Sequence, residues 1–364
     1  MKHIQKYFYT LALLCFLVFS HAAHADVWAN RWMAVNKVNA PSYVLMDLDS
    51  GRILAQKDAH QRREPASTTK MMTTMLAIES GKLDQSFTIG PIPPKTGDAS
   101  MNLEQGEVFT LGQLVQAALI KSANDSAVAI AIAVSGSVPG FVELMNLKAK
   151  QLGCHDTHFA NPNGLHNPNH YTSANDLALI ARAALQYPFF NATVKTKEIV
   201  LHGNKKIPQR IYYNINRLLQ HWDKCDGVKT GYTRQAGNCL VATATETDPV
   251  SRHQWRLLSV VMNTKTESAD SMDLLQHQGF DQFHLVRVAE AGKVLSEIKI
   301  EGVQDTAEAV VPKDVWLPLR AGEKALLKTE IHPLEREVPV EKGQTVAYIS
   351  WTINGHKIAA VPLV

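Results

Sequence analysis

Cysteine is scarce, four in 364 residues. Cys15 lies in an N-terminal apolar run, which leaves Cys154, Cys225 and Cys239 for the folded chain. So few thiols exclude a disulfide scaffold in a chain this long. Cys225 and Cys239 flank a hairpin pattern; whether they pair or lie apart as buried thiols is open at this level. An excess of one charge is also missing: 37 Lys+Arg stand against 34 Asp+Glu, a formal net charge of +3. That balance gives no electrostatic footprint for a nucleic-acid partner. Internal repeats and low-complexity tracts are absent. Gly-x-Ser-x-Gly is absent, which excludes the strained nucleophile elbow of that motif. His155, His158, His166 and His170 cluster, and the last two have helical ligand spacing. Pro168 separates them and no Glu follows His166, so they read as loop histidines. No metal and no cofactor is expected.

Apolar runs long enough to span a bilayer, about 20 residues, are lacking too. The run at the N-terminus, "YTLALLCFLVFS" from Tyr9 to Ser20, is short. It follows Lys2 and Lys6 and precedes small residues at Ala23 and Ala25. This is the pattern of a secretory leader over 1–25, cleaved after Ala25. Leu14 before Cys15 is not the small residue a lipoprotein anchor needs. An exported protein of two-domain length is therefore expected, and a hydrophobic content of 45% suits an ordinary globular core.

"SYVLMDLDSGRILAQKD" reads as two strands around a turn at Asp49-Ser50-Gly51. A helix follows, from just after Pro65 to Gly81. Leu111, Leu114, Val115, Ala118 and Leu119 recur at helical spacing, giving an amphipathic helix over 111–120. "SAVAIAIAVSG" has no polar face and is expected to be buried on all sides. "SANDLALIARAALQ" opens on a capping serine, Ser173, and is helical. "CDGVKTGYT", "AGNCLVATATE" and "WRLLSVVM" then read as three neighbouring strands. Strands at both ends and helices between them predict one sheet with helices against it. From about 288 onward, short alternating runs separated by Gly and Pro predict a small all-β domain. Within it, Asn354-Gly355 marks a two-residue hairpin. The expected domains are 26–287 and 288–364.

Chemistry concentrates in three places. The helix after Pro65 opens with Ser67, Thr68, Thr69 and Lys70. Free N–H groups and the dipole at a helix start favour developing negative charge, so a serine there suits attack on a carbonyl. Lys70 stands one turn along on the same face and reaches the Ser67 hydroxyl. It becomes a base if burial or a second cation lowers its pKa. Thr68 and Thr69 point elsewhere on the wheel. Ser122 and Asn124 lie where the 111–120 helix stops and offer a second hydroxyl and an amide. Lys229, Thr230 and Gly231 lie on a strand. Gly231 lets a substrate backbone approach the strand edge, and Lys229 and Thr230 supply a cation and a donor for a carboxylate. Each element alone is common; a Ser/Asn turn is an ordinary helix ending.

Together, and in this order, they match the Ser-x-x-Lys, Ser-x-Asn, Lys-Thr-Gly set of penicillin-binding proteins and serine β-lactamases. With "EPASTTKMMT", "FANPNGLHNPNHYTSANDLALIAR" and "CDGVKTGYTRQAGNCLVATA" around the motifs, the chain resembles the low-molecular-mass penicillin-binding proteins. These are serine-type D-alanyl-D-alanine carboxypeptidases. The resemblance extends through the second domain. It implies an α/β transpeptidase-like sandwich with a helical cluster, followed by a β-rich domain. It implies Ser67 as acylated nucleophile, Lys70 as general base and Ser122 as proton relay. Asn124 would bind substrate and orient Lys70, and Lys229, Thr230 and Gly231 would hold the substrate's carboxylate end. The backbone N–H groups of Ser67 and Tyr232 would form the oxyanion hole. The implied substrate is the pentapeptide stem of peptidoglycan, and β-lactams would acylate the same serine. The implied location is the periplasm or the outer face of the cytoplasmic membrane.

Two departures stand out. Many relatives end in an amphipathic membrane-docking helix, whereas this sequence ends "AAVPLV" after the β-rich pattern, so membrane association is left open. Tyr232 follows Lys-Thr-Gly where some relatives carry histidine. A class A β-lactamase would need a Glu-x-x-Leu-Asn stretch between Asn124 and Lys229, and none is there. Two alternatives keep the same residues: an endopeptidase that cuts D-Ala cross-links, and a non-catalytic cell-wall-binding protein. Intact motif residues argue against the second.

Overall fold

The computed structural model describes residues 37–203, 209–299, 306–334 and 341–364. The leader assigned to 1–25 lies outside the described residues. The described chain divides into two compact units. One comprises the chain up to Val44, Gln56–Ala244 and Ser259–Leu275; the other comprises Leu45–Ala55, Thr245–Leu258 and Gln276–Val364.

The chain enters on β1 (Ser42–Asp47) and β2 (Ile53–Lys57). Their turn is tied by Asp47, which accepts from the Ser50 amide at 2.8 Å and from Trp255 Nε1 at 2.8 Å. A 3-10 turn, Ala66–Thr69, leads into α1 (Lys70–Glu79). The short strands β3 (Ser86–Thr88) and β4 (Val108–Thr110) pair antiparallel and deliver the chain to α2 (Leu111–Ile120). A capping box starts α2: the Gln113 amide donates to Thr110 Oγ1 at 3.2 Å, and the Thr110 amide donates to Gln113 Oε1 at 2.9 Å. Next come α3 (Asn124–Ser135), α4 (Val138–Gln151), α5 (Ala174–Ala184) and α6 (Pro188–Lys195). Ser173 Oγ caps α5 by accepting from the Asp176 amide at 3.1 Å.

A hairpin, β5 (Glu198–His202) and β6 (Gln209–Tyr213), precedes the one-turn α7 (Arg217–His221). Strands β7 (Cys225–Thr233), β8 (Gly237–Thr247) and β9 (Gln254–Thr264) follow, and α8 (Glu267–Asp273) comes after β9. The sheet order is β2-β1-β9-β8-β7, so both ends of this stretch build one sheet. Its interior strand residues Leu45, Val241, Ala242, Leu258, Val260 and Val261 are fully buried. Helix α1 is buried by Met71, Met72 and Met75, and α2 by Leu111, Leu114 and Val115.

The second unit holds β10 (His284–Ala289), β11 (Val294–Lys299), β12 (Thr306–Val310), β13 (Val315–Leu319), β14 (Leu327–Pro333), β15 (Ala347–Ile353) and β16 (His356–Leu363). They pair as β10-β13, β11-β12 and β14-β15-β16. Asn354 and Gly355, at φ +50° and +80°, make the β15–β16 turn with both central residues left-handed, as a two-residue hairpin requires. Around Trp351 pack Ala309, Leu317, Ile349 and Leu363, all buried. Arg52 fixes the Asp49–Gly51 turn region within this unit, donating to Glu323 at 2.9 and 3.0 Å and to the Pro318 carbonyl. The architecture is the mixed α/β sandwich with an appended β-rich part that the resemblance implied.

Several details differ from expectation. Helix α3 is buried only through Ala131; Ile132 to Ser135 are partly exposed. β3, β4, β5, β6 and β14 carried no usable pattern. β14 is mostly exposed, so it has no alternation to read. Cys154, Cys225 and Cys239 are free and buried. Cys239 lies opposite Gly231, and Cys225 opposite Ala244. The offset of six positions from Cys225 to Gly231 separates the two thiols by roughly 20 Å at strand rise, far beyond disulfide reach.

Trp351 is, with Trp255, one of the two largest fully buried side chains. Trp351→Ala is expected to cost about 3–5 kcal/mol, read as a lower urea midpoint for the transition that follows β-strand loss.

Candidate active site

The start of α1 is shaped by backbone rather than by a capping side chain. Ala66 takes φ +48°, a left-handed conformation that a non-glycine residue adopts at a cost of about 1–3 kcal/mol. Thr68 Oγ1 donates to the Pro65 carbonyl at 2.7 Å, and Thr69 Oγ1 donates to the Ala66 carbonyl at 2.8 Å. The neighbouring hydroxyls therefore brace the turn, and Ser67 Oγ is the hydroxyl left to the cleft.

Lys70 is fully buried. Its Nζ lies 2.9 Å from Ser67 Oγ, 2.7 Å from Asn124 Oδ1 and 2.7 Å from the Asn163 carbonyl oxygen. The last two atoms only accept. A neutral amine has two N–H bonds and one lone pair. If the two N–H bonds serve Asn124 and Asn163, the lone pair is left for the Ser67 hydroxyl. Electrostatics favour that neutral form: burial, and then the charge of Lys229, push the Lys70 pKa well below its ordinary value, with Asp125 opposing. Asn124 cannot turn away, since its Nδ2 donates to the Gly97 carbonyl at 3.0 Å.

Opposite stand Ser122 and Lys229. Ser122 has φ +63° at the tight corner between α2 and α3. Lys229 Nζ donates to Ser122 Oγ at 2.9 Å and to the Thr230 carbonyl at 3.0 Å, leaving one donor over. Burial brings its pKa down to about 7. Thr230 Oγ1 is buried and has no hydrogen-bond partner among the described residues. A spare ammonium donor beside an unsatisfied hydroxyl is what a carboxylate would complete.

Gly231 explains itself by crowding. A Cβ there would lie 2.9 Å from the Pro65 carbonyl oxygen and 3.0 Å from the Ser67 nitrogen. Only a bare backbone lets β7, the last strand of the sheet, come up against the Ser67 turn. Ser67, Ser122, Thr230, Gly231 and Tyr232 line one cleft of about 250 Å³ with Ala99, Ile215, Arg217 and Asn238. All the residues singled out from the sequence meet here, Asn124 and the two lysines forming its buried wall.

Sequence reasoning missed the supports. The Asn163 carbonyl, one of Lys70's acceptors, belongs to a turn held by Asn161 Oδ1, which accepts from the Gly164 amide at 2.7 Å. Gly164 is pressed so closely on Ala66 that a Cβ would sit 1.9 Å from the Ala66 carbonyl oxygen. The Asn-Pro-Asn-Gly string signals that turn but not its target. Asp125 is fully buried. It accepts from Ser100 Oγ at 2.6 Å and from the Met101 and Leu103 amides at 3.0 Å each, anchoring the segment beside the cleft. His170, one of the clustered histidines, has a structural place. Its Nδ1 accepts from the Ala160 amide at 2.9 Å, and its Nε2 is 2.7 Å from Thr69 Oγ1. Since Thr69 already donates to Ala66, His170 Nε2 is the donor, which fixes a neutral ring.

A serine at a helix start, facing a desolvated lysine in an α/β sandwich, defines a serine acyl-transfer hydrolase. The comparisons narrow this. The family profile described as D-alanyl-D-alanine carboxypeptidase matches residues 29–266, and that of the penicillin-binding protein 5 C-terminal domain matches 283–364. D-alanyl-D-alanine carboxypeptidase DacA of Escherichia coli (strain K12) is 36% identical over 99% of this chain and 91% of its own length. DacF of Bacillus subtilis (strain 168) is 32% identical over 89% of this chain and 84% of its own. The crystal structure of penicillin binding protein 5 from Haemophilus influenzae superposes with a TM-score of 0.73 at 33% identity, covering 90% of this chain and 96% of that one. The chain belongs to the D-alanyl-D-alanine carboxypeptidase family of low-molecular-mass penicillin-binding proteins, serine-type hydrolases.

Burial, followed by His158 and Lys70, lowers the His170 pKa to about 4. Unfolding restores an ordinary value near 6.5, so the stability this neutral ring contributes is full above that pH. It falls as pH drops from about 6.5 to 4. The shift corresponds to about 3 kcal/mol. Urea titrations across that window should show this loss in the wild type and a flatter profile in His170→Gln.

Proposed function

We propose that this protein removes the terminal D-alanine from peptidoglycan pentapeptide stems through an acyl-enzyme on Ser67, and that β-lactams acylate the same serine. The observation that carries the reading is the geometry of Lys70, a buried amine held between two acceptors with Ser67 Oγ as its third neighbour. Lys70 takes the Ser67 proton as Oγ attacks the D-Ala carbonyl. Ser122, bonded to Lys229, relays a proton toward the leaving nitrogen. Lys229 and Thr230 hold the substrate's terminal carboxylate, with Gly231 allowing the approach, and Asn124 binds the substrate backbone while orienting Lys70. The amides of Ser67 and Tyr232 receive the oxyanion, at about 3 kcal/mol each. Water then hydrolyses the ester. The same reading places the catalytic domain over 26–287 and the β-rich domain over 288–364, after a leader ending at Ala25. It puts the mature protein in the periplasm or at the outer face of the cytoplasmic membrane.

Ser67→Ala should abolish covalent penicillin labelling and alanine release while the fold is kept; labelling at the wild-type level would refute the assignment. Lys70→Arg should lose nearly as much, because a guanidinium does not act as a base near neutral pH. Mass spectrometry of a pentapeptide monomer, showing loss of one alanine, is the direct check on the reaction.

The two lysines also set a pH profile. Acylation needs Lys70 neutral, so kcat/KM falls on the acid side. Carboxylate capture needs Lys229 charged, and in the empty enzyme that charge is lost as pH rises through about 7. Lys229→Arg should move the alkaline limb upward and leave the acid limb in place; an unmoved alkaline limb would assign it to another group.

A further inference from the structure

The cleft carries two charged side chains that the reaction itself does not use. Arg217, exposed at the start of α7, and Glu267, half-buried at the start of α8, both line it. They share the cleft without pairing with each other, and neither side chain has a salt-bridge or hydrogen-bond partner among the described residues. Desolvating a carboxylate is costly unless a cation or donor accompanies it. An unpartnered one in a binding cleft is therefore an open acceptor for a cationic group of a ligand.

The two charges stand toward opposite ends of β7. Asn216, which precedes Arg217, donates through Nδ2 to the Gly227 carbonyl at 3.1 Å, near the beginning of the strand. Glu267 belongs to the other end. Asn263, the last residue but one of β9, is packed so closely on Gly237 that a Cβ there would lie 2.6 Å from Asn263 Oδ1. Gly237 pairs with Thr233, the last residue of β7. Glu267 follows shortly after Asn263, and its charge is felt at Cys239, which lies opposite Gly231. Burial first, and then the charges of Glu267 and Glu64, push that thiol up to about 11, with Asn263 and Arg63 opposing. Tyr232, 66% exposed, and Asn238, its cross-strand partner, line the cleft at the same end.

On the functional reading above, the terminal carboxylate of the stem lies at Lys229 and Thr230, and the acyl carbonyl lies further along the strand at the Tyr232 amide. The peptide therefore runs along the free edge of β7, its earlier residues toward Thr233. From Lys229 to Tyr232 the strand covers roughly 10 Å, which carries the residue before the two D-alanines to the Glu267 end. In a peptidoglycan stem that residue is a diamino acid. Its side-chain amine is free in a stem that has not been linked through it and acylated in one that has. We propose that Glu267 is a specificity-determining residue that binds this free amine, so that the enzyme selects stems whose diamino acid is still unacylated. The inference rests on the proposed carboxypeptidase reading and deepens it. The polarity of the cleft suits such a ligand, with Lys229 and Arg217 toward its carboxylate end and Glu267 toward its ammonium. Acylation of the amine removes that charge and sets an amide carbonyl against the carboxylate. Glu267 touches no reacting atom, so its effect is on which stem is bound and not on the bond that breaks.

The test follows alanine release by the full chain from two peptides, Nα-acetyl-L-Lys-D-Ala-D-Ala with its side-chain amine either free or acetylated. The wild type should show a kcat/KM about fivefold higher for the free amine at low salt, the scale of one partly exposed charge pair, and the preference should shrink at high salt. Glu267→Gln should bring the ratio close to one, and Glu267→Lys should favour the acetylated peptide. A ratio taken within one preparation cancels any general loss of folding or of Ser67 reactivity, which penicillin labelling reads separately. Equal rates of the wild type on the two peptides would overturn the inference and leave the carboxypeptidase standing. So would a wild-type ratio kept in Glu267→Gln, which would assign the preference to another group. Release of alanine from neither peptide would sink the functional reading itself.

Discussion

Two lysine amines are buried in the walls of one cleft, and the arrangement of the catalytic unit follows from making that tolerable. A buried ammonium is expensive unless it finds partners or gives up its proton. Lys70 has partners in Asn124, the Asn163 carbonyl and Ser67, and burial favours its neutral form. Lys229 keeps Ser122 and a backbone carbonyl, and its pKa falls to about 7. The Lys229 charge makes a proton on Lys70 harder to hold, whereas Lys229 itself is shifted by burial. The corner at Ser122, the turn at 161–165 and the buried Asp125 all serve to keep acceptors and counter-charge where those amines need them.

Much of this was legible in the residues because it is local. The helix at 111–120, the capping serine at 173 and the Asn354-Gly355 turn each follow from a few neighbouring residues. Ser67 and Lys70 share a face by spacing alone. What the sequence hid is long-range or made of backbone. The Asn163 carbonyl has no residue type to betray it. The closeness of Gly164 to Ala66 joins positions about a hundred apart. β3 and β4 are three-residue strands whose pairing is decided by the fold around them. Strand β6 was unreadable for the opposite reason: its alternation runs against the usual sense, Arg210 in and Ile211 out.

The Ser67 turn is clasped from two directions by segments that have no side chain at the point of contact. Gly231 comes from the sheet and Gly164 from the loop before α5. Between them, Ala66 is kept in a conformation it would not choose alone, which presents the Ser67 amide and hydroxyl together. Preorganisation here is a matter of excluded volume. The turn is held because there is no room for it to relax, and a methyl group at either glycine would take the place the clasp depends on.

The near-neutral pKa of Lys229 means that the empty cleft and the filled cleft are different acid–base species. An anion settling beside this amine favours its charged form, so capture of a negatively charged ligand also draws a proton from solvent. The heat of binding would then depend on the ionisation enthalpy of the buffer. An acidic medium would arm the cleft before the ligand arrives, whereas in an alkaline one the ligand would have to bring about that protonation as it binds.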